Sequence, residues 1–149
     1  MIKKITIWFL CLSILSVQLL NAEEVFLSLK KNKTNVRYGP GLDYPIKYIY
    51  RKVNLPVKLI DKKENMRRVI FLDNNSGWIH RSQLKQSNSI ITLEEEILFK
   101  KPSNFSEPLA RLEKDRLLVV KKCEDGWCNI KTDNYTGWVK INNVWGSTK

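Results

Sequence analysis

The sequence predicts an all-β protein, two small β-barrels in tandem after an N-terminal signal peptide. Three observations carry this expectation. A segment ending in Gly-Trp recurs after about sixty residues, as Ser76-Gly77-Trp78-Ile79-His80 and Thr136-Gly137-Trp138-Val139-Lys140. Gly, Pro, Asn and Asp interrupt the apolar stretches too often for a long 3.6-residue period, while β-branched and aromatic residues are frequent. The first twenty-two residues have the composition of an export leader.

The leader opens with Met1-Ile-Lys-Lys, runs apolar from Ile5 to Leu20, and closes on Asn21-Ala22 before Glu23-Glu24. That order of a positive start, an apolar run and a small residue predicts cleavage after Ala22 and a periplasmic mature chain. The apolar run is short beside the roughly 20 residues of a spanning helix. An uncleaved anchor is the rival reading, because Leu20 is large for the third position before a cut. No other stretch is apolar enough to span, so no stable span is expected after cleavage. The expected division is residues 1–22 as signal, 23–86 as the first barrel and 87–149 as the second.

Each unit reads as several short strands. Period-two alternation appears in Val57-Lys58-Leu59 and in Met66-Arg67-Arg68-Val69-Ile70-Phe71. Polar turns precede both Gly-Trp segments, Asp73-Asn-Asn-Ser and Asp133-Asn-Tyr-Thr. Leu55-Pro-Val-Lys-Leu-Ile-Asp matches Arg116-Leu-Leu-Val-Val-Lys-Lys, and two copies indicate a duplication rather than a solenoid. A unit of about 60 residues buries too little of its chain to be more than marginal alone. The two barrels are therefore expected to pack together or share a strand. Residues 86–96 form the junction, and Ile90, Ile91 and Leu93 suit them to open the second unit as a strand.

The expected mature chain keeps Cys123 and Cys128, in Cys-Glu-Asp-Gly-Trp-Cys. An even pair in an exported protein, spaced across a turn signal, reads as a hairpin disulfide. Metal binding is the rival, but it needs two further ligands and His80 is the single histidine. The spacing is not the Cys-x-x-Cys of redox catalysts.

Charge is uneven. Residues 23–85 carry 14 basic and 6 acidic residues, a net +8, whereas residues 86–149 carry 10 and 9, a net +1. Outside the cytoplasm such a field favours anionic wall polymers, lipid headgroups or acidic proteins. Nucleic acid fits the charge but not the compartment, so no nucleic-acid partner is expected. A Lys-rich surface that only confers solubility is the plainer reading.

Motifs for catalysis are scarce. His80 alone supports few acid–base schemes. Ser82-Gln-Leu-Lys85 has the Ser-x-x-Lys spacing without its companion motifs. Glu94-Glu-Glu reads as a solvated charge run, and Gly39-Pro-Gly41 lacks the Lys-Ser/Thr of a phosphate loop. Neither an enzyme nor a cofactor is expected. Arg37, Tyr38, Asp43, Tyr44, Tyr48 and Tyr50 instead gather within one short stretch. Aromatic rings offer stacking surface to sugars or peptides, and an arginine holds a carboxylate bidentately. Trp78 and His80 close the same unit. The candidate ligand-binding residues are thus Arg37, Tyr38, Asp43, Tyr44, Tyr48, Trp78 and His80. The competing reading places Tyr48, Tyr50, Trp78 and Trp138 in the cores or over their ends. Trp127 alternates with Cys128 and is expected on the opposite face of its hairpin.

The run Val36-Arg-Tyr-Gly-Pro-Gly-Leu-Asp-Tyr-Pro-Ile resembles the opening of bacterial SH3-like domains, and Gly77-Trp78-Ile79-His80-Arg81-Ser82-Gln83-Leu84 resembles their closing segment. The order of both halves is similar to tandem SH3-like proteins exported by Gram-negative bacteria. The second unit departs at its start, where Phe99-Lys-Lys-Pro replaces the Arg-x-Gly-Pro run. The resemblance implies barrels of five to seven strands and a cell-wall peptide or glycan as ligand. Peptidoglycan or a cell-envelope protein is the expected partner. Three readings of function remain open: a wall-binding module, a protein-interaction scaffold, and a charge-driven binder of anionic envelope surfaces.

Overall fold

A computed structural model describes residues 23–132 and 134–147, and the expected signal segment lies outside them. Among the described residues, fourteen strands fall into two groups of seven. The first holds β1 (Phe26–Leu29), β2 (Thr34–Arg37), β3 (Ile46–Tyr50), β4 (Pro56–Lys63), β5 (Met66–Ile70), β6 (Ser76–His80) and β7 (Leu84–Gln86). The second holds β8 (Ser89–Thr92), β9 (Glu96–Phe99), β10 (Pro108–Leu112), β11 (Leu117–Glu124), β12 (Trp127–Lys131), β13 (Thr136–Lys140) and β14 (Val144–Ser147). The sheet orders are β3-β2-β6-β5-β4-β1-β7 and β10-β9-β13-β12-β11-β8-β14. Shifting every label by seven converts one order into the other, so the duplication read from the Gly-Trp segments extends to every strand.

Each antiparallel sheet wraps its own core. Leu29, Val36, Val57, Val69, Phe71, Ile79 and Leu84 fill the first. Ile90, Leu98, Leu112, Leu118, Val120, Cys128, Ile130 and Val139 fill the second. Alternation governs which residues turn inward. In β6 the buried positions are Gly77 and Ile79, between the half-buried Ser76, Trp78 and His80.

β8 departs from alternation by being buried on both faces, and this departure joins the barrels. All four residues of β8 are buried. Ile90 enters the second core, whereas Ile91 faces a crevice lined by Tyr50, Leu55, Pro56 and Phe71 of the first barrel. A strand covered on both faces reads as an unbroken apolar or small run, and Ser-Ile-Ile-Thr does. Burying Ile91 contributes about 2 kcal/mol to docking. Polar groups complete the junction. The Ser28 and Ser89 hydroxyls lie 2.8 Å apart, Ser28 donates to Ser87 Oγ, and Ser89 Oγ donates to the Asn54 carbonyl. Trp145 packs edge-on against Phe26 at 5.1 Å and donates its indole N–H to the Pro56 carbonyl. The barrels pack together without sharing a strand.

The β11–β12 hairpin turns on Asp125 and Gly126, both at positive φ, the pattern of a two-residue turn whose twist suits its strands. The return strand starts at Trp127, directly after the turn. Cys123 and Cys128 face each other in this ladder and form the disulfide. Trp127 packs edge-to-face on Phe99 at 5.7 Å, while its neighbour Cys128 enters the core.

Candidate functional site

β2 ends at Arg37, whose partner on β6 is Trp78. Across β6, Trp78 is also in register with Arg68 of β5. Three adjacent strands thus set Arg37, Trp78 and Arg68 side by side, an indole between two guanidinium groups. On the other flank of β2 the register slips. Val36 pairs with Tyr48 but Arg37 with Ile46, so Lys47 is the extra residue of a bulge. A bulge re-aims its extra side chain. Lys47 Nζ donates to the Ser76 carbonyl at 3.1 Å and lies 5.6 Å and 5.1 Å from the ring centres of Tyr38 and Tyr48.

These residues line a cleft of about 300 Å³, walled by Arg37, Tyr38, Lys47, Arg68, Ser76 and Trp78. Among the described residues, none of its three cations is paired with a carboxylate. Opposite charges are absent from the walls, so the cleft is a site of positive potential beside two aromatic rings.

The loop between β2 and β3 forms the rim. Arg37 Nη1 donates to the Tyr44 carbonyl at 2.7 Å, and the Tyr38 amide donates to the Pro45 carbonyl at 3.2 Å. The Tyr44 ring lies so close over Gly39 that a Cβ there would stand 2.2 Å from it. The glycine therefore admits the ring that closes the loop. Tyr38 remains 63% exposed, available for stacking rather than committed to the core.

The structure brings Arg37, Tyr38 and Trp78 into one cleft and adds Tyr44 to its rim. Tyr48 lies behind Lys47, packs against the first core and donates its hydroxyl to Asn75 Oδ1. Asp43 sits on the outer part of the loop against Gly41. His80 lies outside the cleft. Its Nδ1 accepts from the Ser82 amide and shares a 2.8 Å contact with Ser82 Oγ, capping the helical turn Arg81–Gln83. Lys47 and Arg68 were not singled out by sequence. Arg68 was legible as an outward position of an alternating strand, but Lys47 depends on the bulge.

Tyr50 stacks on Phe71 at 3.9 Å, and burial, reinforced by Asp73, raises its hydroxyl above the ordinary tyrosine value. Among the described residues no three His, Cys, Asp or Glu side chains gather as a metal site, and no helix is long and apolar enough to cross a membrane.

No curated protein matches the chain. Among solved structures it is similar to NlpC2 and NlpC1 from Trichomonas vaginalis, each at 14% identity and a TM-score of 0.38. The match covers 84% of this chain but 49% and 46% of theirs, so the chain spans about half their length. A family model, the bacterial SH3 domain, matches residues 30–86 and again residues 94–146. With both barrels matched, the chain belongs to the bacterial SH3 domain family.

Proposed function

We propose that the protein is an exported, periplasmic and non-enzymatic binding module that recognises peptidoglycan or its stem peptides through the cleft of the first barrel. The observation that carries this reading is the in-register row Arg37–Trp78–Arg68 with Lys47 beside it. Wall peptides present carboxylates next to sugar rings, and the cleft offers cations next to aromatic rings. A hydrogen bond to a charged group contributes about 1.5–3 kcal/mol. Two such contacts with one stacked ring suffice for recognition without a catalytic group.

Sedimentation of the purified protein with isolated sacculi, at low and high salt, tests the proposal. Binding that persists at high salt and falls on Arg37→Ala or Tyr44→Ala is the expected result. Binding abolished by salt alone reduces the reading to charge, since exposed electrostatics are screened within about 10 Å at 0.1 M.

A second reading rests on a separate observation. β3 is an edge strand of the first sheet, and its Ile46 and Ile49 are both exposed. An open apolar edge can take up a partner peptide by strand addition. A periplasmic protein crosslinked through β3, with no sacculus binding at any salt, favours this scaffold role over the first.

A further inference from the structure

We propose a second binding site, distinct from the cleft, in the groove where the two barrels meet, with a linear acidic polysaccharide as its ligand. The groove has a volume of about 730 Å³ and is lined by Lys52, Arg116, Leu117, Val119, Lys121 and Lys131. Lys52 comes from the loop after β3 in the first barrel. The other residues lie on or beside β11 and β12 of the second. The site exists only because the barrels are docked.

The register explains the arrangement. Leu117 is the cross-strand partner of Ile91, and Val119 that of Lys131. These residues share one outward face of the second sheet. The first barrel covers that face at Ile91 and leaves Leu117 and Val119 half-exposed, as an aliphatic floor. The ladder then slips between Val120 and Lys122, which makes Lys121 the extra residue of a bulge. Lys121 stands on the rim of this groove and also of an adjoining hollow lined by Lys85 and Lys122. From Arg116 to Lys121 the strand extends about 16 Å at its usual rise, long enough to follow several sugar units.

Three cations of the second barrel pair with acids: Lys100 with Glu107, Arg111 with Glu95 and Lys122 with Glu124. Among the described residues none of Lys52, Arg116, Lys121 and Lys131 has such a partner. Three of these four cations belong to the half of the chain whose net charge is only +1. Four like charges around one groove repel one another, and an anion spanning them removes that cost.

The floor decides among anions. It holds no aromatic ring, whereas single-stranded nucleic acid is held by stacking of its bases on aromatic side chains. Leu117 and Val119 instead suit the C–H faces of sugar rings, with acid groups reaching the rim.

The test is binding of the full protein to polygalacturonate oligomers, with neutral dextran and oligothymidylate of similar length as comparisons. Measurement at about 0.15 M salt suppresses long-range attraction. The protein should bind polygalacturonate and not dextran. Lys52→Glu with Lys121→Glu should weaken binding at least about tenfold. The charge-matched pair Lys30→Glu with Lys33→Glu should change it less than about twofold. If the glutamates disturb folding, Lys52→Gln with Lys121→Gln carries the same expectation. Equal losses from both charge-matched pairs, no binding of polygalacturonate, or tighter binding of oligothymidylate overturns the proposal.

Discussion

The two barrels share a ladder but not a surface. In the first, the row across three strands is Arg37–Trp78–Arg68, and at the same register the second has Phe99–Trp138–Asn129. The bulged position after Ile46 is Lys47 in the first and, after Pro108, Leu109 in the second. The tryptophan is kept, and the three cations around it are replaced. The far hairpins differ in the opposite sense. Cys123 and Cys128 are covalently joined where Lys62 faces Arg67 in the first barrel. One barrel carries the charged cleft with two like charges facing each other in its hairpin. Its sibling carries the row Phe99–Trp138–Asn129 without either arginine, with Lys122 Nζ 5.0 Å from the Trp138 ring centre, and a cross-link. A duplicated scaffold can divide recognition from stability because surface positions of a ladder change without altering the inward ones that hold the core.

The widest separation between the barrels should appear in binding. Arg37→Ala combined with Tyr44→Ala is expected to weaken sacculus binding roughly ten- to a hundredfold. Phe99→Ala or Tyr135→Ala, measured by the same sedimentation, should leave it near the parent value. Equal losses would break the division of labour.

Stability should separate the equivalent glycines. A Cβ on Gly137 would meet the Phe99 carbonyl at 2.6 Å and also Leu98 and Leu109, whereas one on Gly77 would meet the Val36 side chain at 2.4 Å and backbone only at 3.0 Å. Backbone yields less readily than a side chain. Gly137→Ala is expected to cost roughly 3 kcal/mol by overpacking, and Gly77→Ala less. Urea unfolding of both variants decides the order.

The disulfide closes a short loop, so replacing both cysteines by serine should cost about 2 kcal/mol. Lys62→Cys with Arg67→Cys tests whether the register alone carries that gain. The same pairing in the first barrel should raise its unfolding midpoint under oxidising conditions and not under reducing ones.

The smallest effect concerns the start of the second strand in each repeat. Thr34 is fully buried there in the first barrel, and Glu96 takes its place in the second. Burial first, and Glu94 second, raise the Glu96 carboxyl above its ordinary value. The folded state then holds the proton more tightly than the unfolded chain. Its contribution is fully present below the unfolded pKa and is lost as pH rises through the folded value. Glu96→Thr should therefore raise the thermal midpoint at neutral pH and lose that advantage in acid. A gain that is the same at both pH values would assign the effect to packing instead.

Much of this architecture was legible in the chain. The Gly-Trp segments, the Asp-Gly turn between the cysteines and the alternating strands are local signals, and each one matches a strand or turn. The candidate site was legible only in part. Arg37, Tyr38 and Trp78 meet in one cleft, but His80, two residues from Trp78, turns to cap the helical turn after β6. Lys47 was hidden because its direction follows from a bulge in the pairing of β2 with β3, which no single strand encodes.

By itself the sequence determined the fold class, the duplication and the cysteine pairing, because alternation, turn chemistry and short loops act between near neighbours. The tertiary structure alone decided the two features of greatest functional interest. The row Arg37–Trp78–Arg68 joins residues ten to forty-one positions apart, on β2, β6 and β5, through register. The groove between the barrels depends on docking at Ile91, which turned a strand exposed on one face into one buried on both. Register and docking are long-range outcomes of packing, so they are settled only when the whole chain has folded.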